Sequence, residues 1–269
     1  MKVLYLIILA VASYLFGNIN FAKIISKLKH DDITKHGSGN PGTLNMLRTF
    51  GFKWAIFNMT LEICKGLVPT LVAKLLFKQW DLSQIAIYVA GVSVILGHIF
   101  PVFAKFKGGK GVAAFAGFSF IALPWWVTLI IFAVCFTFVA ITSIGSIGTL
   151  GFVLISTIIQ LILISPSNNG WICYIILAFI TTLIMYVHRG NIKRLFAGKE
   201  NPTNIRKAFK ADFMSKKSKE VEQSTKPVSE NNVSSQQVVD EQKPLFEKSE
   251  TEVSVNTLST TETNQNDKQ

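Results

Sequence analysis

Three short stretches hold the side chains best suited to handling an anion. The first is His36-Gly37-Ser38-Gly39-Asn40-Pro41-Gly42, followed by Asn45 and Arg48; the second is Lys107-Gly108-Gly109-Lys110-Gly111; the third is His188-Arg189-Gly190-Asn191, followed by Lys193 and Arg194. Closely spaced glycines expose backbone N–H groups, and a helix opening near Pro41 would present its N-terminus to an anion. Lysine among glycines suits phosphate oxygens. If the third stretch is helical, His188 and Asn191 are i and i+3 and share a face. The bland alternatives are a flexible turn and the positive charge that membrane edges commonly carry.

Two motif matches lead elsewhere. Gly37, Gly39 and Gly42 satisfy G-x-G-x-x-G, but that fingerprint needs a strand before it and a βαβ unit around it, whereas this loop follows an apolar helix. A Walker A loop needs glycine at 104 and Ser/Thr at 111, where this chain has Ala104 and Gly111. Nucleotide chemistry gains no support.

The elements that must position these loops are apolar. Of 269 residues, 49% are hydrophobic and 16% charged, against roughly 25% charged in soluble proteins. A soluble globular enzyme is excluded. A helix needs about 20 apolar residues to span hydrocarbon, and such runs lie near 3–25, 54–77, 84–103, 145–165 and 170–187. The stretch 112–142 is too long for one ordinary span and carries Pro124 near its middle, so two short helices are expected there. The fold class is therefore all-α, a polytopic integral membrane protein of about seven transmembrane helices. Lys2 before the first run resembles a signal peptide, but that run continues past Ala12 and is expected to be retained. Cys64, Cys135 and Cys173 are scattered through apolar runs and are expected to be packing residues. Glu62 and Lys65, i and i+3 inside the second run, are expected to pair or to line a polar cavity.

Charge orients the chain. Seven spans put Lys27, Lys29, Lys35 and Arg48, then Lys105, Lys107 and Lys110, then His188, Arg189, Lys193 and Arg194 on one side, while the opposite loops near 78–81, 124 and 165–170 carry little charge. The positive-inside rule makes that side cytoplasmic, with the N-terminus outside and the C-terminus in the cytoplasm. The membrane domain is expected to be 1–200. Residues 188–219 hold ten Lys+Arg and two Asp+Glu, while 220–269 hold four and ten. Residues 201–269 thus read as a basic juxtamembrane segment followed by a disordered acidic-polar tail.

Taken in order, SYLFGNINFAKIISKL, GSGNPGTLNMLR, EICKG, LGHIFPVFAKFKGGKGVA and HRGNIKRLFAGKE resemble the bacterial acyl-phosphate:glycerol-3-phosphate acyltransferases, the PlsY family, over residues 1 to about 200. The resemblance implies a multi-pass enzyme of the bacterial plasma membrane. It would move an acyl group from acyl phosphate to the sn-1 hydroxyl of glycerol 3-phosphate on the cytoplasmic face, giving lysophosphatidic acid and phosphate in the first acylation of phospholipid synthesis. Acyl phosphate is already activated, so no cofactor, nucleotide or metal is implied; the partners are the two substrates and membrane lipids, not nucleic acid. Ser38, Arg48, Lys110, His188 and Asn191 match the family's catalytic positions. Gly37, Gly39, Asn40, Gly42, Asn45, Lys107, Gly108, Gly109 and Gly111 are the accompanying phosphate-binding candidates. Departures are Asn18 and Asn20 for Ser and Pro, Thr43 and Leu44 for Ala and Thr, Glu62 for Asp, and Gly190 for Glu beside His188. The rivals are a transporter for anionic solutes, a haem protein using His98 and His188, and a scaffold whose tail recruits other lipid enzymes.

Overall fold

The computed structural model describes residues 1–165 and 170–224, and these are helical with no strand among them. Eleven α-helices are found among the described residues: α1 (Lys2–Gly17), α2 (Phe21–Leu28), α3 (Thr43–Phe50), α4 (Phe52–Leu76), α5 (Ser83–Ile99), α6 (Val112–Ala122), α7 (Trp125–Thr142), α8 (Gly145–Leu163), α9 (Gly170–Val187), α10 (Arg189–Phe196) and α11 (Ile205–Ser224). Six segments are long and apolar enough to cross a membrane, counting α1 and α2 as one; α6 is a shorter apolar helix.

The burial pattern suits lipid rather than water. Ile7, Ile8 and Val11 of α1, Val134 and Ile141 of α7, and Ile158 and Ile162 of α8 are exposed, while Asn58, Thr70, Ser119, Thr128, Ser156 and Gln160 are buried inside. In hydrocarbon the polar groups must find partners within the protein. Tyr88 Oη accordingly donates to Gln160 Oε1 at 3.0 Å, and Thr128 Oγ1 to the Ser119 carbonyl at 3.0 Å. Close approach does the remaining work: α4 and α6 meet through Gly66 and Gly117, where an added Cβ would sit 1.9 Å from the Ala114 oxygen and 2.0 Å from the Ile63 oxygen.

Two expectations change. The 112–142 stretch does break at Leu123–Pro124, but only α6 is short; α7 has 18 residues and full spanning length. The first run is not continuous. It is interrupted at Asn18–Asn20, where Asn20 Oδ1 caps α2 by accepting from the Lys23 amide at 2.9 Å, and Asn18 Nδ2 donates to the Tyr14 carbonyl at 2.6 Å. These asparagines supply polar partners for a backbone that leaves helical geometry inside an apolar segment. Cys173 is buried as expected, but Cys64 is exposed on α4 and Cys135 is half-buried.

The 200/201 boundary does not mark where packing stops, since Met1–Gln223 form one compact unit and Thr203 and Ile205 are buried in it. The low-charge loop at 166–169 and the acidic tail from 225 lie outside the described residues.

Candidate active site

All three basic stretches meet. Lys23 Nζ, on α2, donates to the Lys107 carbonyl at 3.0 Å, and Lys110 Nζ donates to Asn191 Oδ1, which also accepts from Arg194 Nη2 at 2.9 Å. Their junction is bordered by two cavities. A polar basin is lined by Lys23, Ser38, Asn40, Lys107, Arg189, Lys193 and Arg194. A mainly apolar cavity runs inward past Ala55, Met59, Phe132, Phe136 and Val139, and its wall includes Arg48 and His188. Ser38, Asn40, Lys110, Asn191 and Arg194 border both.

The first loop is held in shape by Asn45, which lies buried on α3. Its Nδ2 donates to the Ile33 and His36 carbonyls at 3.0 Å each, and its Oδ1 accepts from the Ser38 amide at 3.0 Å. Gly37 has φ +54° and an added Cβ would lie 2.3 Å from Asn45 Oδ1, so the close turn requires glycine. The Gly39 amide donates to the His36 carbonyl and the Gly42 amide to the Asn40 carbonyl, both at 2.9 Å. This corrects the expectation of exposed glycine amides at Gly39 and Gly42. Both Nδ2 hydrogens and the Oδ1 of Asn45 are engaged in holding this loop.

The second loop is folded onto the end of α5. Gly109 donates to the His98 carbonyl at 3.1 Å, and a Cβ on Gly109 would lie 2.2 Å from His98 Nε2. Gly108 is equally confined, with a Cβ falling 2.0 Å from the His98 oxygen. These two glycines let the loop lie flat on the histidine. Gly111 opens α6 with φ +84°, which aims Lys110 toward the third loop. Beneath, Glu62 Oε2 meets Lys65 Nζ at 2.6 Å and His98 Nδ1 at 3.0 Å. Lys65 Nζ also donates to the Ile19 carbonyl at 2.6 Å, and Glu62 Oε1 accepts from the Phe21 amide at 3.3 Å. The expected Glu62–Lys65 pair therefore forms and braces the break in the first segment. His98 is committed to that pair.

In the third stretch His188 is buried at the start of α10, and its Nδ1 lies 2.8 Å from the Ile184 carbonyl. A carbonyl can only accept, so Nδ1 carries the proton and Nε2 has the free lone pair. Burial, with Lys110 nearby, pushes His188 down to about 4, against a smaller upward pull from the Ile184 hydrogen bond. It is neutral at physiological pH. Burial first, then Arg194 and Arg48, push Lys110 down to about 8, with Glu200 acting the other way. Gly190 leaves open space beside His188, since an added Cβ would find only Arg194 Nη1, 3.7 Å away.

Sequence reasoning missed two contributors. Ser146, at the start of α8, accepts from Asn191 Nδ2 at 2.8 Å and donates to Glu200 Oε1 at 2.5 Å. Arg48 is held by residues 201–203: Nε donates to the Pro202 carbonyl at 3.0 Å, and Nη2 to the Asn201 carbonyl and Thr203 Oγ1 at 2.9 Å each. Burial lowers its guanidinium from the ordinary arginine range, against the pull of Glu200. The signal for Ser146 was a polar residue opening an apolar helix; for Glu200–Thr203 there was none beyond position after the HR-x-N block.

Spanning helices with an inside-out burial pattern, carrying at one end a cation-ringed basin joined to an apolar cavity, define an integral membrane protein whose site suits an anionic amphiphile. More particularly, the chain belongs to the glycerol-3-phosphate acyltransferase family, PlsY, whose profile matches residues 7–198. It is 36% identical over 203 residues to the glycerol-3-phosphate acyltransferase of Thermoanaerobacter sp. (strain X514), covering 74% of this chain and 96% of that one. It is 36% identical over 204 residues to the enzyme of the same name from Aquifex aeolicus (strain VF5), covering 75% and 99%. A crystal structure of PlsY (YgiH), an integral membrane glycerol 3-phosphate acyltransferase in its glycerol 3-phosphate form, superposes with TM-score 0.66 at 32% identity, covering 74% of this chain and 95% of that one. Its lysophosphatidic acid form gives 0.65 at 31%, covering 76% and 98%.

Proposed function

We propose that this acyltransferase moves a fatty acyl group from acyl phosphate to the sn-1 hydroxyl of glycerol 3-phosphate, releasing lysophosphatidic acid and phosphate. The observation that carries this reading is the shared border of the two cavities, where Ser38, Lys110 and Asn191 stand between a basic basin and an apolar one. An acyl phosphate has one apolar end and one anionic end. Glycerol 3-phosphate is small and wholly polar, and suits the basin.

In this reading Lys110 and Arg48 bind phosphate oxygens of the donor and stabilise charge as the carbonyl is attacked, a role worth most in a site shielded from water. Ser38 and the lysine-lined basin hold substrate phosphate, and His188 with Asn191 orients the acceptor. The hydroxyl oxygen bonds the acyl carbon, the carbon–oxygen bond to phosphate breaks, and the phosphate leaves. His188, held down to about 4, binds a proton less tightly than phosphate, whose second pKa is about 6. The hydroxyl proton therefore ends on the leaving phosphate, with His188 Nε2 aligning the O–H. The donor's own phosphate activates the carbonyl, so positioning and neutralisation are the protein's task and no cofactor is needed.

We also infer seven crossing segments, α6 and α7 making a hairpin, with the N-terminus outside and the site at the cytoplasmic face of a bacterial plasma membrane. Supporting this are the three basic loops at one end and Trp125, Trp126 and Trp171 exposed at helix starts.

The test mixes purified protein with palmitoyl phosphate and glycerol 3-phosphate, without ATP, coenzyme A or added metal. Lysophosphatidic acid is the expected product. A strict requirement for acyl-CoA would refute the proposal.

A further inference from the structure

Residues 200–212 lie wholly beyond the 7–198 match to the family, yet they are stitched onto the site. Thr203 is fully buried and its amide donates to the Ser143 carbonyl at 2.8 Å; Ser143 Oγ donates to Asn204 Oδ1 at 2.9 Å. Ile205 is buried beside Met46, Leu47, Ala55 and Val139. One turn on, Phe209 meets Phe52 edge to face, ring centroids 5.2 Å apart. Asp212 Oδ2 accepts from the Lys53 amide at 2.9 Å.

That last contact supplies a missing cap. α4 opens at Gly51, which has no side chain to satisfy the first amides of the helix. Asp212 does so from another helix, with its carboxylate at the positive end of the α4 dipole. The fit is close, because a Cβ on Gly51 would fall 2.7 Å from Asp212 Oδ1.

The strap so anchored holds Arg48. Its carbonyls and Thr203 Oγ1 engage Nε and Nη2, leaving Nη1 without a partner among the described residues. A guanidinium fixed along one edge presents the other edge in a single orientation.

We propose that residues 200–212 form a positioning strap for acyl transfer, in which Asp212, by capping α4, holds the Asn201–Thr203 segment that orients Arg48 toward the donor phosphate. This rests on the reading of Arg48 as a ligand of that phosphate. Asp212 acts through Arg48 and touches no substrate.

The test compares Asp212→Ala, Asp212→Asn and Phe209→Ala in the full chain with Arg48→Ala and with Phe213→Ala on the exposed side of α11. Asp212→Ala is expected to lower kcat/KM for palmitoyl phosphate by about fivefold if the whole energy of the lost cap is felt in the placement of Arg48, with KM for glycerol 3-phosphate unchanged. Phe209→Ala should act in the same direction. Asp212→Asn, whose amide oxygen still accepts from Lys53, should recover most of the loss, and Phe213→Ala should show none. If Arg48→Ala is inactive while Asp212→Ala and Phe209→Ala keep the native rate, the strap is overturned and Arg48 stands. If Arg48→Ala keeps the rate, the reading of Arg48 fails and the strap with it. Equal loss for both substrates, or no recovery in Asp212→Asn, would reduce Asp212 to a stability contact. Should Asp212→Ala fail to insert, Phe209→Ala and Asp212→Asn decide by the same criteria.

Discussion

Lys110, in the glycine-rich loop before α6, donates its ammonium proton to Asn191 Oδ1 on α10, 81 residues further along the chain. Asn191 passes the connection on, through its own amide, to Ser146 and from there to Glu200. The loop that carries Lys110 and the helix that carries Asn191 are thus fixed to each other. In the proposed reaction this half-buried cation, placed by a hydrogen bond beside Arg48 and Arg194, would exchange that partner for a phosphate oxygen.

The two lysines of that loop should be unequal. Lys110→Ala should lower turnover about 10²-fold or more, the scale of one lost transition-state stabiliser. Lys107 offers its backbone carbonyl to Lys23, which survives Lys107→Ala, so the rate loss there should be mild. Steady-state rates measured beside cysteine accessibility of the loop check this; equal, small losses would make the loop no more than a charged membrane edge.

Lys110 also sets a pH dependence. Its pKa is pushed down to about 8, and the form that would bind phosphate in the proposed reaction is the protonated one, so kcat/KM should fall as pH rises through about 8. Lys110→Arg keeps its charge and should carry activity to higher pH, even at a lower maximum. A bound phosphate favours the ammonium, so the limb in kcat should lie above that in kcat/KM. Coincident limbs in native enzyme and Lys110→Arg would assign the titration to another group.

Asn45 is predicted to matter without touching substrate. Asn45→Ala removes three hydrogen bonds, at about 1 kcal/mol for each, while the Ile33 and His36 carbonyls keep the His36 and Gly39 amides as donors. Asn45→Asp keeps an acceptor for the Ser38 amide but no donor for the carbonyls. Both should lower thermal stability and activity together, Asn45→Ala more. Thermal unfolding in detergent beside initial rates is the check, and a large rate loss at unchanged stability would return Asn45 to the substrate contacts.

The Glu62–Lys65 pair should show the asymmetry of buried charges. Glu62→Gln leaves an ammonium in an apolar segment and should cost about 3–5 kcal/mol. Adding Lys65→Met removes the uncompensated charge and should restore part of the loss. Unfolding midpoints of the single and double variants measure this. A double variant no better than the single would mean that the Lys65 contact with the Ile19 carbonyl, rather than the ion pair, holds the break in the first segment.

Hydrophobicity is additive along the chain, so the sequence by itself determined the apolar segments, including the break at Pro124 and the spanning stretches at 145–163 and 170–187. It likewise determined which residues could handle phosphate, because residues 1–187 hold only 13 Lys+Arg and these stand out where they cluster among glycines. Spacing at i and i+3 was enough to expect the Glu62–Lys65 pair. What it could not supply was the partner of each polar group, since an asparagine that binds a ligand and one that holds a loop look alike until their neighbours are known. Only the tertiary structure made Asn45 the staple of the first loop, turned Asn20 into a helix cap inside a segment that reads as continuous, and enclosed His98 beneath Gly109. It alone brought Thr203 and Asp212 back onto Arg48 and α4, because a strap of mixed polarity owes its place to shape and to unsatisfied amides elsewhere, neither of which has a periodicity to read.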